Sequence, residues 1–172
     1  MTNLLIPCAG QSTRFPGKPK WLLTCPNGNL MIQECIDGLD LLNIKTIYIG
    51  FLKEHVDNHC NDLDIKNLFN FTNKKIEIII LNEKTKSQSE TVYKMIKNKD
   101  IKGSIFIKDC DNYFTHEIIP NENYLCFVEI NENTNITKTY NKSFVDYDNS
   151  MICKQICEKQ IISPFICVGG YA

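Results

Sequence analysis

The sequence predicts an α/β chain: a mostly parallel sheet flanked by helices, with antiparallel strands added in the C-terminal third. Three observations carry this. Short apolar runs alternate with helical stretches as far as Asp111, the order in which parallel strands are joined by crossover helices. Beyond Asp111, strand-like runs follow one another with few helix signals. The 172 residues are 43% hydrophobic, enough for one core without disulfide or metal staples.

The elements follow in order. Asn3–Pro7 is a short apolar run and the first strand. Residues 8–19 are rich in Gly, Ser, Thr and Pro, so the strand runs out into a loop. Leu30, Met31, Cys35, Ile36, Leu39 and Leu42 fall at helical spacing, which predicts a helix over 30–42 with Asn29 as its cap. Lys45–Gly50 is the second strand, Lys53–Phe69 one or two short helices, and Lys75–Leu81 the third strand. Glu90–Lys97 is a helix, and Gly103–Lys108 is a strand that ends in Asp109-Cys110-Asp111. Then Tyr124–Ile130, Ile136–Tyr140, Ser143–Tyr147, Met151–Cys157 and Ile161–Val168 read as strands, with a hairpin turn at Asp148-Asn149-Ser150. There are no repeats, linkers or low-complexity tracts, so residues 1–172 read as a single domain.

Composition excludes several classes. Nineteen basic residues against twenty acidic ones leave a net charge of −1, whereas nucleic-acid binders carry a basic excess. No run reaches the ~18 apolar residues of a membrane span, and the N-terminus has no basic segment or cleavage site. A cytoplasmic protein without nucleic-acid or membrane partners is expected. The nine cysteines are odd in number, contain no CxxC pair, and mostly lie in apolar runs such as Leu125-Cys126-Phe127. They read as buried reduced thiols rather than a disulfide or metal framework. His55 and His59, beside Cys60, have no third and fourth ligand nearby and read as a solvated helix face.

The loop after the first strand carries the chemical signal, because ligands of open α/β sheets sit beyond the carboxyl ends of the strands. Gly10 allows close backbone approach, and Gln11, Ser12 and Thr13 offer successive N–H donors. Arg14, Lys18 and Lys20 add three cations within seven residues. Oriented donors plus cations are what a polyphosphate needs. Arg14 is the sole arginine among nineteen basic residues, and only arginine binds phosphate as a planar fork. A P-loop is excluded, since six residues separate Gly10 from Gly17 and proline follows Lys18; the dinucleotide fingerprint GxGxxG is absent.

Ile6-Pro7-Cys8-Ala9-Gly10-Gln11-Ser12-Thr13-Arg14-Phe15, followed by Lys18-Pro19-Lys20-Trp21-Leu22-Leu23, resembles the signature of the sugar-phosphate nucleotidylyltransferases. That signature reads A-A-G-x-G-x-R-F and then P-K-x-L. Cys8 stands for the first Ala and Ser12 for the second Gly. Further segments match in order: Thr85 to Thr91 resembles the stretch that reads the base, Ile105 to Phe114 the strand ending in G-D-N, Glu158-Lys159 the E-K pair, and Val168 to Tyr171 the late V-x-G-x-Y strand. The resemblance covers nearly the whole chain and implies a Rossmann-like domain of the capsule or surface-polysaccharide type. The family domain is longer and supplies a second metal ligand further on, so the resemblance implies a chain that lacks this ligand, either because the C-terminal part of the domain is missing or by divergence.

The resemblance implies nucleotidyl transfer from a nucleoside triphosphate to a small phosphorylated acceptor such as a sugar-1-phosphate, with Mg²⁺ as cofactor. Residues 1–114 would bind the nucleotide and 115–172 the acceptor. Ala9, Gly10, Gln11, Ser12 and Thr13 would cradle the triphosphate, with Gln88 and Ser89 at the base. Arg14 and Lys20 would be catalytic, Arg14 on the β/γ-phosphates and Lys20 between the α-phosphate and the acceptor. Asp111 would hold Mg²⁺, with Asp109 as a second or rival ligand, since residues two apart on a strand face the same side. Asn112, Glu158 and Lys159 would contact the acceptor. Asn141 stands in place of a glycine that approaches the sugar. A pyrimidine triphosphate, CTP or UTP/dTTP, is expected; whether like chains assemble is left open. The alternative is a non-catalytic nucleotide-binding or regulatory domain of the same fold. A MobA-like or isoprenoid-pathway cytidylyltransferase shares the N-terminal loop but fits Glu158-Lys159 and Gly169-Gly170 less well.

Overall fold

The first strand is buried along almost its whole length, as a central strand covered on both faces must be. A computed structural model describes residues 1–12, 17–60, 65, 67–134 and 138–172. In chain order its elements are β1 (Thr2–Cys8), α1 (Met31–Asp37), β2 (Leu39–Asp40), β3 (Ile44–Leu52), α2 (Lys53–His59), β4 (Lys75–Leu81), α3 (Gln88–Lys99), β5 (Ile105–Lys108), β6 (His116–Glu117), β7 (Leu125–Glu129), β8 (Ser143–Tyr147), β9 (Cys153–Glu158) and β10 (Phe165–Tyr171). Single 3-10 turns lie at Lys20–Leu22 and Thr139–Asn141. The chain divides into two compact units, Met1–Glu122 with Ala172, and Asn123–Tyr171.

In the first unit β4, β3, β1 and β5 lie side by side in that order, all parallel. The chain moves outward from β1 to β3 and β4, then returns across the sheet to β5. The direction of winding therefore reverses at β1, and the carboxyl ends of β1 and β5 flank the switch point where open α/β sheets bind ligands. Helix α3 makes the return. Its Val92 and Met95 are buried with Leu5, Ala9, Leu52, Ile79, Leu81 and Ile101. The approach is close at Gly50, where a Cβ would lie 2.6 Å from the Met95 sulfur. No helix among the described residues is long and apolar enough to cross a membrane.

The first helix is shorter than its apolar spacing predicts. α1 stops at Asp37, and Leu39–Asp40 instead pairs in parallel with β6. The cause is tertiary. The Phe114 backbone passes so close to Gly38 that a Cβ there would meet its carbonyl oxygen at 2.3 Å, and His116 N–H donates to Gly38 O at 3.0 Å. Leu42, which completes the helical pattern in sequence, is 74% exposed. The start of α1 is held not by Asn29 but by Gln33, whose Oε1 accepts from Leu30 N–H at 2.8 Å; Asn29 donates to Glu34 instead. His55 is half-buried rather than solvated, and burial holds its imidazole below its usual pKa.

In the second unit β7, β10, β8 and β9 form antiparallel pairs in that order. Phe127, Tyr147 and Phe165 gather between strands with ring centroids 4.6–5.5 Å apart. The β8–β9 turn is the expected one: Asp148 Oδ1 accepts from Ser150 and Ile152 N–H, and Met151 takes the left-handed φ of +62°. The strand expected at Ile136–Tyr140 is replaced at its end by the 3-10 turn Thr139–Asn141, while residues 136 and 137 lie outside the described residues. β10 begins at Phe165 rather than Ile161, because Ser163 bonds Val145 O and Phe165 N–H and bends the chain just before it. Cysteine burial is partial. Cys8 and Cys35 are buried, Cys153 is exposed and the other six lie between.

Candidate active site

A cavity of about 460 Å³ opens at the carboxyl ends of β1 and β5, within the range of small-molecule sites. Described residues of three segments line it, all from the first unit: Pro7, Cys8, Gly10–Ser12, Lys20 and Trp21 after β1, Thr85–Gln88 and Thr91 at α3, and Asp109–Asp111 after β5.

The first segment leaves β1 through Gly10, Gln11 and Ser12. Ser12 stands where the resemblance expects glycine, and it takes a left-handed φ of +52° itself. Its hydroxyl accepts from Lys20 N–H at 2.9 Å, tying the loop to the 3-10 turn. Trp21 anchors that turn: it is 1% exposed and its ring lies 4.4 Å from that of Phe51. Lys20 is thus fixed by its backbone and by the residue after it. Its ammonium reaches across the cavity to Asp111 Oδ2 at 2.6 Å.

The second segment is the N-terminal end of α3. Ser87 caps it, accepting from Glu90 N–H at 3.2 Å, while Glu90 Oε2 accepts from Lys86 N–H at 2.7 Å. Glu90 thus ties the residue before the cap to the first turn of the helix. Thr85 and Thr91 hydroxyls share a hydrogen bond of 2.6 Å. The fixed end presents Gln88, whose amide donates to Asp109 Oδ1.

The third segment follows β5. Because β5 ends at Lys108, strand alternation no longer applies, and a turn brings Asp109, Cys110 and Asp111 all to the cavity wall. Burial, reinforced by the Asp111 charge, raises the Asp109 carboxyl above its usual pKa, opposed by the Gln88 hydrogen bond. Burial likewise pushes the Cys8 thiol up, with its hydrogen bond to Cys110 adding to the effect. Beneath the turn, Lys108 is completely buried, and that burial lowers its pKa.

The structure brings together Gly10, Gln11, Ser12, Lys20, Gln88, Asp109 and Asp111. Ala9 lies below them in the hydrophobic core, and Ser89 is on the exposed first turn of α3. Lys18 is exposed. The Asn112 side-chain oxygen faces the Lys108 ammonium. Glu158 and Lys159 belong to the second unit, at the end of β9, and pair with each other at 3.0 Å on its surface. Thr13 and Arg14 lie outside the described residues. Sequence reasoning missed Pro7, Cys8, Trp21, Thr85, Lys86, Ser87, Thr91 and Cys110 as lining residues. Lys86 had a signal, a cation beside a helix start in a segment already singled out; Trp21 had none.

The donor set suits a hard divalent cation in part. Asp109 and Asp111 supply two carboxylates to one wall, and Mg²⁺ takes one or two of these with phosphate and water completing its shell. No group of three or more metal-ligating side chains occurs among the described residues.

No family model matches this sequence, and no curated protein matches it. Solved structures do. The nucleoside-diphosphate-sugar pyrophosphorylase from Vibrio cholerae RC9 superposes with a TM-score of 0.76 at 19% identity, over 98% of this chain and 71% of that one. The inositol-1-phosphate CTP transferase from T. maritima gives 0.70 at 11% identity, over 99% and 69%. A UDP-glucose pyrophosphorylase complexed with UDP-glucose gives 0.69 at 12%, over 99% and 75%. At these identities the likeness shows the fold: a Rossmann-like, mostly parallel α/β sheet with added antiparallel strands.

Proposed function

We propose that this chain is a nucleotidylyltransferase. It transfers a nucleoside monophosphate from a pyrimidine triphosphate (CTP or UTP/dTTP) to a sugar-1-phosphate or similar small phosphorylated acceptor. Pyrophosphate is released. The proposed setting is cytoplasmic synthesis of activated sugars for capsule or surface polysaccharide. One observation carries the reading: Lys20 and Asp111 meet at 2.6 Å in a cavity that Gly10, Gln11 and Ser12 also line. A cation, carboxylates and a glycine-containing loop thus converge at the switch point of the sheet. The three superposed structures, named as a nucleoside-diphosphate-sugar pyrophosphorylase, an inositol-1-phosphate CTP transferase and a UDP-glucose pyrophosphorylase, support it.

The chemistry asks little of a general base. An acceptor phosphate oxygen, already an anion, attacks the α-phosphorus. That bond forms as the bond from the α-phosphorus to the oxygen bridging toward the β-phosphorus breaks, and the electron pair leaves with pyrophosphate. Positioning two polyanions and neutralising charge are the main requirements. Backbone N–H groups of residues 10–12 receive the triphosphate. Lys20 exchanges Asp111 for phosphate oxygens of the α-phosphate and the acceptor. Arg14, by sequence, serves the β/γ-phosphates. Gln88 exchanges Asp109 for the edge of the base. When bound, Mg²⁺ would be held by Asp111 and Asp109 and would draw charge from the phosphate oxygens. By sequence, Asn112 is the proposed acceptor contact.

The test is pyrophosphate release from each nucleoside triphosphate with Mg²⁺ and a panel of sugar-1-phosphates and other phosphorylated acceptors. Release with one pair is expected, falling at least ~100-fold in Lys20→Ala and Asp111→Asn, the size of loss when one preorganised charge-stabilising group is removed. Nucleotide binding without release from any pair would replace this reading with a non-catalytic nucleotide-binding domain. Neither binding nor release would sink the nucleotide site itself.

A further inference from the structure

Lys108 is the one fully buried lysine among the described residues, and the chemistry above makes no use of it. Burying an ammonium is costly unless its protons are all partnered. Here they are. Nζ donates to Asp109 O at 3.0 Å, to Asn112 O at 2.8 Å and to Asn112 Oδ1. The Phe114 ring centroid lies 4.4 Å away on a further side. All three acceptors belong to residues 109–112, the segment that carries both cavity carboxylates. That segment lies beyond the end of β5 and in no helix, so no backbone ladder holds it. A buried ammonium together with its acceptors contributes little stability compared with apolar groups filling the same volume. Stability therefore does not explain an ammonium at this point, whereas the shape of the turn does.

We infer that Lys108 is a positioning residue, an internal cross-tie whose ammonium fixes the 109–112 turn and thereby aims Asp109 and Asp111 at the cavity. This rests on the reading that those carboxylates receive a cation with a nucleotide. Its sign separates it from simple electrostatics. A fixed ammonium beside two carboxylates repels a divalent cation, so deleting it without disturbing the turn raises cation affinity. A cross-tie predicts the reverse.

The experiment is a Mn²⁺ titration followed by electron paramagnetic resonance, with and without CTP or UTP, on the wild type, Lys108→Met and Phe114→Leu. Thermal midpoints are taken alongside. Lys108→Met keeps an unbranched side chain, one atom shorter, and removes the charge. The expected result is a loss of roughly 10- to 100-fold in Mn²⁺ affinity per folded molecule, as for groups that orient metal ligands, beyond any fall in midpoint from the three acceptors left without their donor. Phe114→Leu, which strips the ring from the ammonium, is expected to lose less in the same direction, and it carries the test should Lys108→Met fail to fold. Equal or tighter Mn²⁺ binding in the variants overturns the cross-tie while leaving the nucleotide reading intact. So does a fall in midpoint with unchanged affinity per folded molecule. A wild type that takes no Mn²⁺ with any nucleotide overturns the nucleotide reading, and the cross-tie with it.

Discussion

Lys20 and Asp111 hold each other at 2.6 Å, each about a quarter to a third exposed. A pair so placed is worth only ~0.2–1 kcal/mol, so either partner gives the other up readily to a phosphate or a cation. This has an unusual consequence for Lys20→Gln. The substitution frees Asp111, and the affinity for Mn²⁺ alone is expected to rise by up to about fivefold, the equivalent of that pair energy. Triphosphate binding is expected to fall at least about tenfold, because a charge-assisted hydrogen bond is lost. Isothermal titration with the metal alone and with the metal–nucleotide complex reads both; parallel falls would show that Lys20 does not restrain Asp111. At this scale much of the site was legible. Gly10, Lys20, Gln88 and Asp111 announce themselves by residue type and by place along the chain. Trp21 did not, because its part in the site is packing. Lys108 did not either, because a lysine at a strand end reads as solvated, whereas here it is fully buried and the turn that follows accepts from its ammonium.

The helix start at Ser87 shows how an element carries the site. Glu90 has two partners only in the folded chain, Lys86 N–H at 2.7 Å and Lys94 Nζ at 3.1 Å. Both hold its carboxyl below the ordinary value of 4.5, the backbone bond the more strongly. A carboxyl whose folded pKa is depressed adds stability above its unfolded pKa, and this is lost as pH falls through the folded value. Glu90→Gln is therefore expected to be less stable than the wild type in urea at neutral pH. The gap should close as pH falls through that depressed folded value, below which both chains carry a neutral side chain. A gap that persists in acid would mean the loss is one of packing. Sequence patterns placed α3 and the parallel strands well, because capping residues and apolar runs are local signals. They overran α1, where Leu39 and Leu42 complete a helical stripe. What stops that helix is the Phe114 backbone against Gly38, a contact 76 residues away along the chain that no local pattern registers.

At the scale of the molecule, the order β4-β3-β1-β5 explains why the lining segments meet although Gly10 and Asp111 are about a hundred residues apart in the chain. That order was readable only as alternation of strand and helix; the reversal at β1 comes from the three-dimensional winding. The antiparallel character of residues 125–171 was equally legible, but Glu158 and Lys159 carry no local sign of whether they meet a ligand. Linkage turns the assembled cavity into a test of the whole chain. A ligand bound only by the folded state stabilises it by about 2.7 kcal/mol at a hundredfold excess over Kd, which moves the midpoint of a chain of this size by roughly 5–10 °C. With Mg²⁺ present, CTP or UTP is expected to produce a shift of that order. Inorganic triphosphate should give less, since it leaves Gln88 on Asp109. ATP and GTP should give no more than triphosphate does. The same scan on Gln88→Ala should bring CTP and UTP down to the triphosphate value without altering triphosphate itself, because the loop at Gly10–Ser12 is untouched. Equal shifts for purine and pyrimidine nucleotides would remove the base preference while keeping the phosphate site. A shift for triphosphate as large as for any nucleotide would mean that the cavity reads phosphate alone.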